Sequence, residues 1–223
     1  MITFTPDIMD FPEKYLLEFS SPEEALLCEL DRETHRKTVH PQMISGSLQG
    51  KFLELIVRML RPQRVLEIGT FTGYSALCMA AGLEEGATLD TIEADDELEL
   101  IIRPFFDRSP HGGKIRLHTG SALRIAPLLS GTYDLVYIDG DKREYAAYYR
   151  MLMGDGTCRA LVKSGSFLLA DNILWYGKVA EPDKHTDPMT AGVVEFNRLV
   201  RNDLRVENVI LPIRDGINLI RVK

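Results

Sequence analysis

Residues 64–75 read RVLEIGTFTGYS, and the first five of them decide the architecture. Arg64 to Ile68 is a short run rich in Leu and β-branched residues, closed by Gly69, which predicts a strand buried on both faces. On its N-terminal side Leu48, Phe52, Leu55, Ile56 and Met59 recur at helical spacing and predict a helix carrying one apolar stripe. On its C-terminal side further strand-like runs fall near Thr88 to Ile92, Lys114 to Leu117, Tyr133 to Ile138 and Ser166 to Ala170, each separated from the next by a helical segment. Leu98, Ile101, Ile102 and Phe105 form one such helical face, and Pro104 is expected to kink or end that helix. Alternation of this kind predicts an α/β fold, a parallel sheet with helices on both faces. The last two runs, Val206 to Leu211 and Ile217 to Val222, are joined by Pro212-Ile213-Arg214-Asp215-Gly216, so the sheet should close with a hairpin and contain one antiparallel strand.

The chain has 223 residues, of which 45% are hydrophobic, enough for one sizeable core. A single domain over residues 1–223 is expected, with an N-terminal helical segment (1–47) ahead of the core (48–223). No stretch approaches the roughly 20 apolar residues of a membrane span, and MITFTPDIMDFPEKY lacks the pattern of a signal peptide, so a cytoplasmic protein is expected. Cys28, Cys78 and Cys158 show no paired spacing and read as buried free thiols. A formal charge of −7 disfavours a broad phosphate-binding face.

In an open α/β sheet, ligands bind beyond the carboxyl ends of the strands. After the first strand, Gly69 and Gly73 bracket Thr70-Phe71-Thr72. A dinucleotide fingerprint would place its second glycine where Phe71 stands, which argues against a pyrophosphate and a nicotinamide dehydrogenase. A phosphate-free cofactor with an amino-acid tail, a sulfonium and an adenosine would suit the loop, with Gly69 for close approach and Glu67 nearby. Glu93, ending the second strand, stands where an acid accepts hydrogen bonds from ribose hydroxyls; a tight turn and a solvated carboxylate are the plain alternative. Asp139 follows the fourth strand (YIDGDK) and Asp171-Asn172 the fifth (LLADN). Together they can offer oxygen ligands to one face of a hard cation such as Mg²⁺. A turn at Asp139-Gly140 and a helix cap at Asp171-Asn172 would account for the same residues. The five histidines are scattered and the thiols unpaired, which leaves zinc without a ligand set.

The glycine motif, Glu93, IDGDK, LADN, Leu174-Trp175 and LPIRDGINL together resemble the cation-dependent O-methyltransferases that include the caffeoyl-CoA and catechol O-methyltransferases, from about Tyr15 to the C-terminus. The resemblance implies a Rossmann-like class I methyltransferase with a seven-stranded, mostly parallel sheet whose last hairpin is inserted, and a homodimer. It implies S-adenosylmethionine contacts at Met43, Ser45, Glu67, Gly69, Thr70, Gly73, Ser75, Glu93, Ala122 and Asp141. It also implies Asp139, Asp171 and Asn172 as ligands of Mg²⁺, Mn²⁺ or Ca²⁺. Lys142 becomes a candidate general base, with Asp139 beside it at the reacting hydroxyl; pairing with Asp141 or Glu144 at the surface is its structural alternative. Two departures stand out: Gln49 where many relatives have an acid, and Tyr176 where plant members place a small polar substrate contact.

The expected reaction is methylation of a small hydroxylated, catechol-like acceptor with release of S-adenosylhomocysteine, since vicinal oxygens chelate a cation better than one. Some bacterial relatives methylate a hydroxylated wobble uridine in tRNA, and Arg32, Arg36 and Lys37 could meet phosphates, or form a solvated helix face. A noncatalytic binding protein is a further reading, opposed by competent chemistry at every expected ligand position.

Overall fold

The structure, a computed structural model, describes residues 13–154 and 159–223. Its helices are α1 (Glu13–Glu18), α2 (Ala25–Lys37), α3 (Gly46–Leu60), α4 (Tyr74–Gly82), α5 (Glu99–Arg108), α6 (Ala122–Ile125), α7 (Tyr145–Met153) and α8 (Pro188–Asn202). The strands are β1 (Arg64–Ile68), β2 (Thr88–Glu93), β3 (Ile115–Thr119), β4 (Tyr133–Ile138), β5 (Val162–Ala170), β6 (Val206–Leu211) and β7 (Ile217–Val222). They form one seven-stranded sheet in the order β3-β2-β1-β4-β5-β7-β6. The pairs β1–β2, β2–β3, β1–β4 and β4–β5 are parallel, while β7 runs antiparallel to both β5 and β6. The expected α/β fold with its inserted C-terminal hairpin is therefore present. Strand order reverses between β1 and β4, and a ligand crevice belongs beyond their carboxyl ends.

Burial on both faces explains why the central strands β1 and β4 read as mainly apolar runs. In β4, Val136 and Ile138 enter a core shared with Tyr145, Tyr149 and Phe196 of α7 and α8, while Leu135 and Tyr137 enter the opposite core with Leu53 and Val57 of α3 and Leu77 of α4. Each face needs its own helical layer, and the crossovers supply it.

Three expectations are corrected. In α3 the buried face is Gln49, Gly50, Leu53 and Val57, whereas Leu55 and Met59 are 50% and 76% exposed. The helix docks one residue round from the apolar stripe because its backbone must approach α4: a Cβ on Gly50 would lie 2.7 Å from Cys78 Sγ. Pro104 does not end α5, which continues to Arg108; the carbonyl it leaves without an intrahelical donor belongs to Leu100, a residue 83% exposed. Cys78 is buried as expected, but Cys28 is only half-buried, its thiol donating to Glu23 Oε2 at 2.9 Å; Cys158 lies outside the described residues. Among the described residues, no helix is long and apolar enough to cross a membrane.

Candidate active site

The β1–α4 loop is shaped by contact with β4. Gly69 has φ +96°, and a Cβ there would sit 2.3 Å from the Asp139 carbonyl oxygen. The backbone joins the same two strand ends, Asp139 N–H donating to the Ile68 carbonyl at 2.8 Å. The missing side chain thus lets β1 and β4 close up at the point where strand order reverses, and it seats Asp139 beside the glycine loop.

Glu93 turns toward this loop. Its carboxylate accepts from Phe71 N–H at 2.6 Å and Asp95 N–H at 3.0 Å. Burial raises its pKa while those backbone donors oppose the rise. Glu67, fully buried, accepts from the hydroxyls of Ser75 and Thr91. The Thr70 and Thr91 hydroxyls lie 2.5 Å apart, and either can be the donor. Burial pushes Glu67 up to about 8, against the pull of the two hydroxyls.

The ends of β4 and β5 carry the second half of the site. Ile138 and Ala170 are register partners, and Asp171 N–H donates to the Ile138 carbonyl at 3.0 Å, so Asp139 and Asp171 stand side by side. Burial raises Asp139 to about 6; Lys142 opposes the rise and Asp171 adds to it. Lys142 is 8% exposed and donates to Asp139 Oδ1 at 2.7 Å and to Tyr145 Oη at 2.8 Å. Tyr145 in turn donates to the Asp171 carbonyl at 3.0 Å. The surface alternative for Lys142 is thereby displaced: Asp141 pairs with Arg143 instead. Asp171 Oδ2 accepts from Gln49 Nε2 at 2.5 Å and Tyr137 Oη at 2.9 Å, and its Oδ1 accepts from Asn172 N–H at 2.7 Å. Asn172 takes a left-handed φ of 54° immediately after β5.

The remaining residues expected to contact cofactor lie at differing depths. Thr70, Ser75, Ser45 and Ala122 are buried, whereas Met43 is 54% exposed. Gly73 precedes α4 with φ +95°. A pocket of about 240 Å³ opens beside Ser45 and is also lined by His35, Ile44 and Arg214.

Tyr137, Tyr145, Arg214 and Asp215 belong to the same neighbourhood, and sequence reading passed over their roles. Arg214, in the β6–β7 turn, donates to the carbonyls of Ile44 and Ser45 and, at 3.4 Å, to Gln49 Oε1. Asp215 accepts from Tyr176 N–H at 2.7 Å. Its buried Oδ2, like Trp175 Nε1, has no hydrogen-bond partner among the described residues. For Arg214 and Asp215 the motif LPIRDGINL was the available signal; it reads as a turn and as part of the family resemblance, with no role given to either residue.

Comparison with known proteins adds the following. The O-methyltransferase family profile matches residues 17–223. A caffeoyl-CoA O-methyltransferase of Petroselinum crispum is 30% identical over 220 residues, covering 93% of this chain and 89% of that protein. A catechol O-methyltransferase of Niastella koreensis is 31% identical over 184 residues, covering 78% of this chain and 80% of that protein. Among solved structures, an S-adenosylhomocysteine-bound methyltransferase of Podospora anserina superposes with a TM-score of 0.88 at 26% identity, covering 100% of this chain and 98% of that one. A Bacillus cereus O-methyltransferase, also in complex with S-adenosylhomocysteine, gives 0.83 at 27% identity, covering 94% and 96%.

Proposed function

The chain belongs to the O-methyltransferase family, and from that premise we propose that it moves the S-adenosylmethionine methyl group to a hydroxyl of a small catechol-like acceptor, aided by a divalent cation. The observation that carries the reading is the pairing of Asp139 with Asp171-Asn172 at adjoining strand ends, with Lys142 donating to Asp139. Two carboxylates and one amide oxygen make a hard, anionic donor set of the kind Mg²⁺ or Mn²⁺ accepts. A cation held there would supply Lewis acidity, making an acceptor hydroxyl a better nucleophile.

The protein's own residues do the rest. The glycine loop, Glu67 and Glu93 would hold the donor, together with Met43, Ser45, Thr70, Gly73, Ser75, Ala122 and Asp141. Lys142, which is braced by its hydrogen bond to Tyr145, would in its neutral form take the acceptor's proton. Orientation of two bound reactants for in-line transfer accounts for a further share of the rate. We read the whole chain as one catalytic domain working as a cytoplasmic homodimer, an assembly that sedimentation would test.

The tRNA reading draws less support. Arg36 and Lys37 are engaged with Glu33 at 3.2 and 2.7 Å, as expected of a solvated helix face. A screen with radiolabelled donor and Mg²⁺, using catechols, isolated phenols and unmodified and hydroxylated tRNA, is the test. Catechols should be methylated and S-adenosylhomocysteine released; label confined to isolated hydroxyls or to tRNA would overturn the proposed acceptor.

A further inference from the structure

The hydrogen bonds around Asp171 restrict how it can bind a cation. Each carboxylate oxygen offers two lone pairs. On Oδ2 both are taken, one by Gln49 Nε2 at 2.5 Å and one by the Tyr137 hydroxyl at 2.9 Å. On Oδ1 only the Asn172 N–H is bound, at 2.7 Å, which leaves one lone pair. The clamp is closed on itself, since Gln49 Nε2 also donates to Tyr137 Oη at 2.7 Å and Gln49 Oε1 faces Arg214. Reversing the amide would set its oxygen against the Asp171 carboxylate and its NH₂ against the guanidinium, so the orientation is determined. Gln49 and Asp171 are 1% and 3% exposed, and water does not compete for these bonds. Asp139 is not clamped in this way: Lys142 takes one lone pair of its Oδ1, at 2.7 Å, so the restriction falls on Asp171 alone.

We infer that Gln49 and Tyr137 are specificity-determining positioning residues that limit Asp171 to one ligating oxygen and so tune the site to Mg²⁺ or Mn²⁺ over Ca²⁺. The smaller cation accepts single oxygens in near-octahedral geometry, while Ca²⁺ draws on bidentate carboxylates to reach six to eight ligands. An acid in place of Gln49 has no amide donor to share between Asp171 and Tyr137, so this form of the clamp depends on the departure seen in this chain.

The inference rests on the cation-assisted reading, and its test separates the two. Calorimetric titrations of the full chain with MnCl₂ and CaCl₂, in the presence of S-adenosylhomocysteine, give the ratio of Kd for Ca²⁺ to Kd for Mn²⁺. In the wild type the ratio should be about tenfold or more. In Tyr137→Phe, which removes one donor and keeps the ring, and in Gln49→Leu it should fall by about tenfold, within the range usual for loss of an outer-shell partner. Mn²⁺ affinity should drop while Ca²⁺ affinity holds or rises, a split that general loosening of the fold would not produce. A wild-type ratio at or below one, or a ratio unchanged within about twofold in Tyr137→Phe, overturns the inference and leaves the proposed function standing. A wild type that binds neither ion overturns both. If Gln49→Leu does not fold, the wild type and Tyr137→Phe still decide the matter.

Discussion

The close approach of β1 and β4 at Gly69 can be measured by adding a single methyl group. In Gly69→Ala the new Cβ would lie 2.3 Å from the Asp139 carbonyl oxygen and 2.9 Å from Gly140 N, both backbone atoms that cannot rotate aside. Overpacking of this kind costs about 1–3 kcal/mol. Holding an L-residue at φ +96° costs about a further 1–3 kcal/mol. A total near 4 kcal/mol is about 8–16 °C in melting temperature for a chain of this length. Gly86→Ala is the matched control: its φ is +81°, and nothing lies within 4 Å of the added atom. It should lose only the strain share, about half as much. Thermal unfolding of the two variants beside the wild type, followed by circular dichroism, gives the contact cost by difference. Equal losses in both would refute the claim that Gly69 exists to admit the Asp139 backbone.

Asp171→Ala should abolish turnover while calorimetry shows S-adenosylhomocysteine binding little changed; retained activity or unchanged Mn²⁺ affinity would count against Asp171 as a ligand. Lys142→Met should lower kcat at least about 100-fold, the lower range for loss of a general base; a change confined to KM would reduce Lys142 to a binding contact. Glu67 links stability to pH. Its folded value is raised to about 8, against about 4.3 when unfolded, so the folded chain keeps a proton the unfolded chain has lost. Its stabilising contribution is complete below about pH 4 and is lost as pH rises toward about 8. In ligand-free protein, Glu67→Gln should therefore flatten the decline in melting temperature between about pH 5 and pH 8. Curves that stay parallel across that window would show that the proton is not held there.

The legible features share one property: their signal lies within a few neighbouring residues. The central strands β1 and β4 stood out because apolar runs buried on two faces look the same whatever their partners, while the edge strands β3 and β6, largely unburied, were marked by short β-branched runs beside turn residues. Asp139, Asp171 and Asn172 were singled out because chemistry at strand ends is a positional rule, and the structure brings those two strand ends side by side. The inward face of α3 was misjudged because Gln49 and Gly50 are a polar and a side-chain-free residue, invisible to any count of apolar spacing. Of the two outcomes expected at Pro104, a kink or an end, the folded chain excludes the end, since α5 runs on to Arg108.

What the amino-acid order determined alone was the alternation of elements, the closing hairpin and the oxygen-bearing residues at the strand ends, because each is set by local propensity and periodicity. Only the folded molecule decided that Gln49, itself met by Arg214, and Tyr137 gather round Asp171, and that Lys142 turns inward to Tyr145 instead of outward to Asp141. Gln49 and Asp171 are 122 positions apart. Nothing local to either encodes the other, and their contact exists because the sheet carries β5 past the helix that precedes β1.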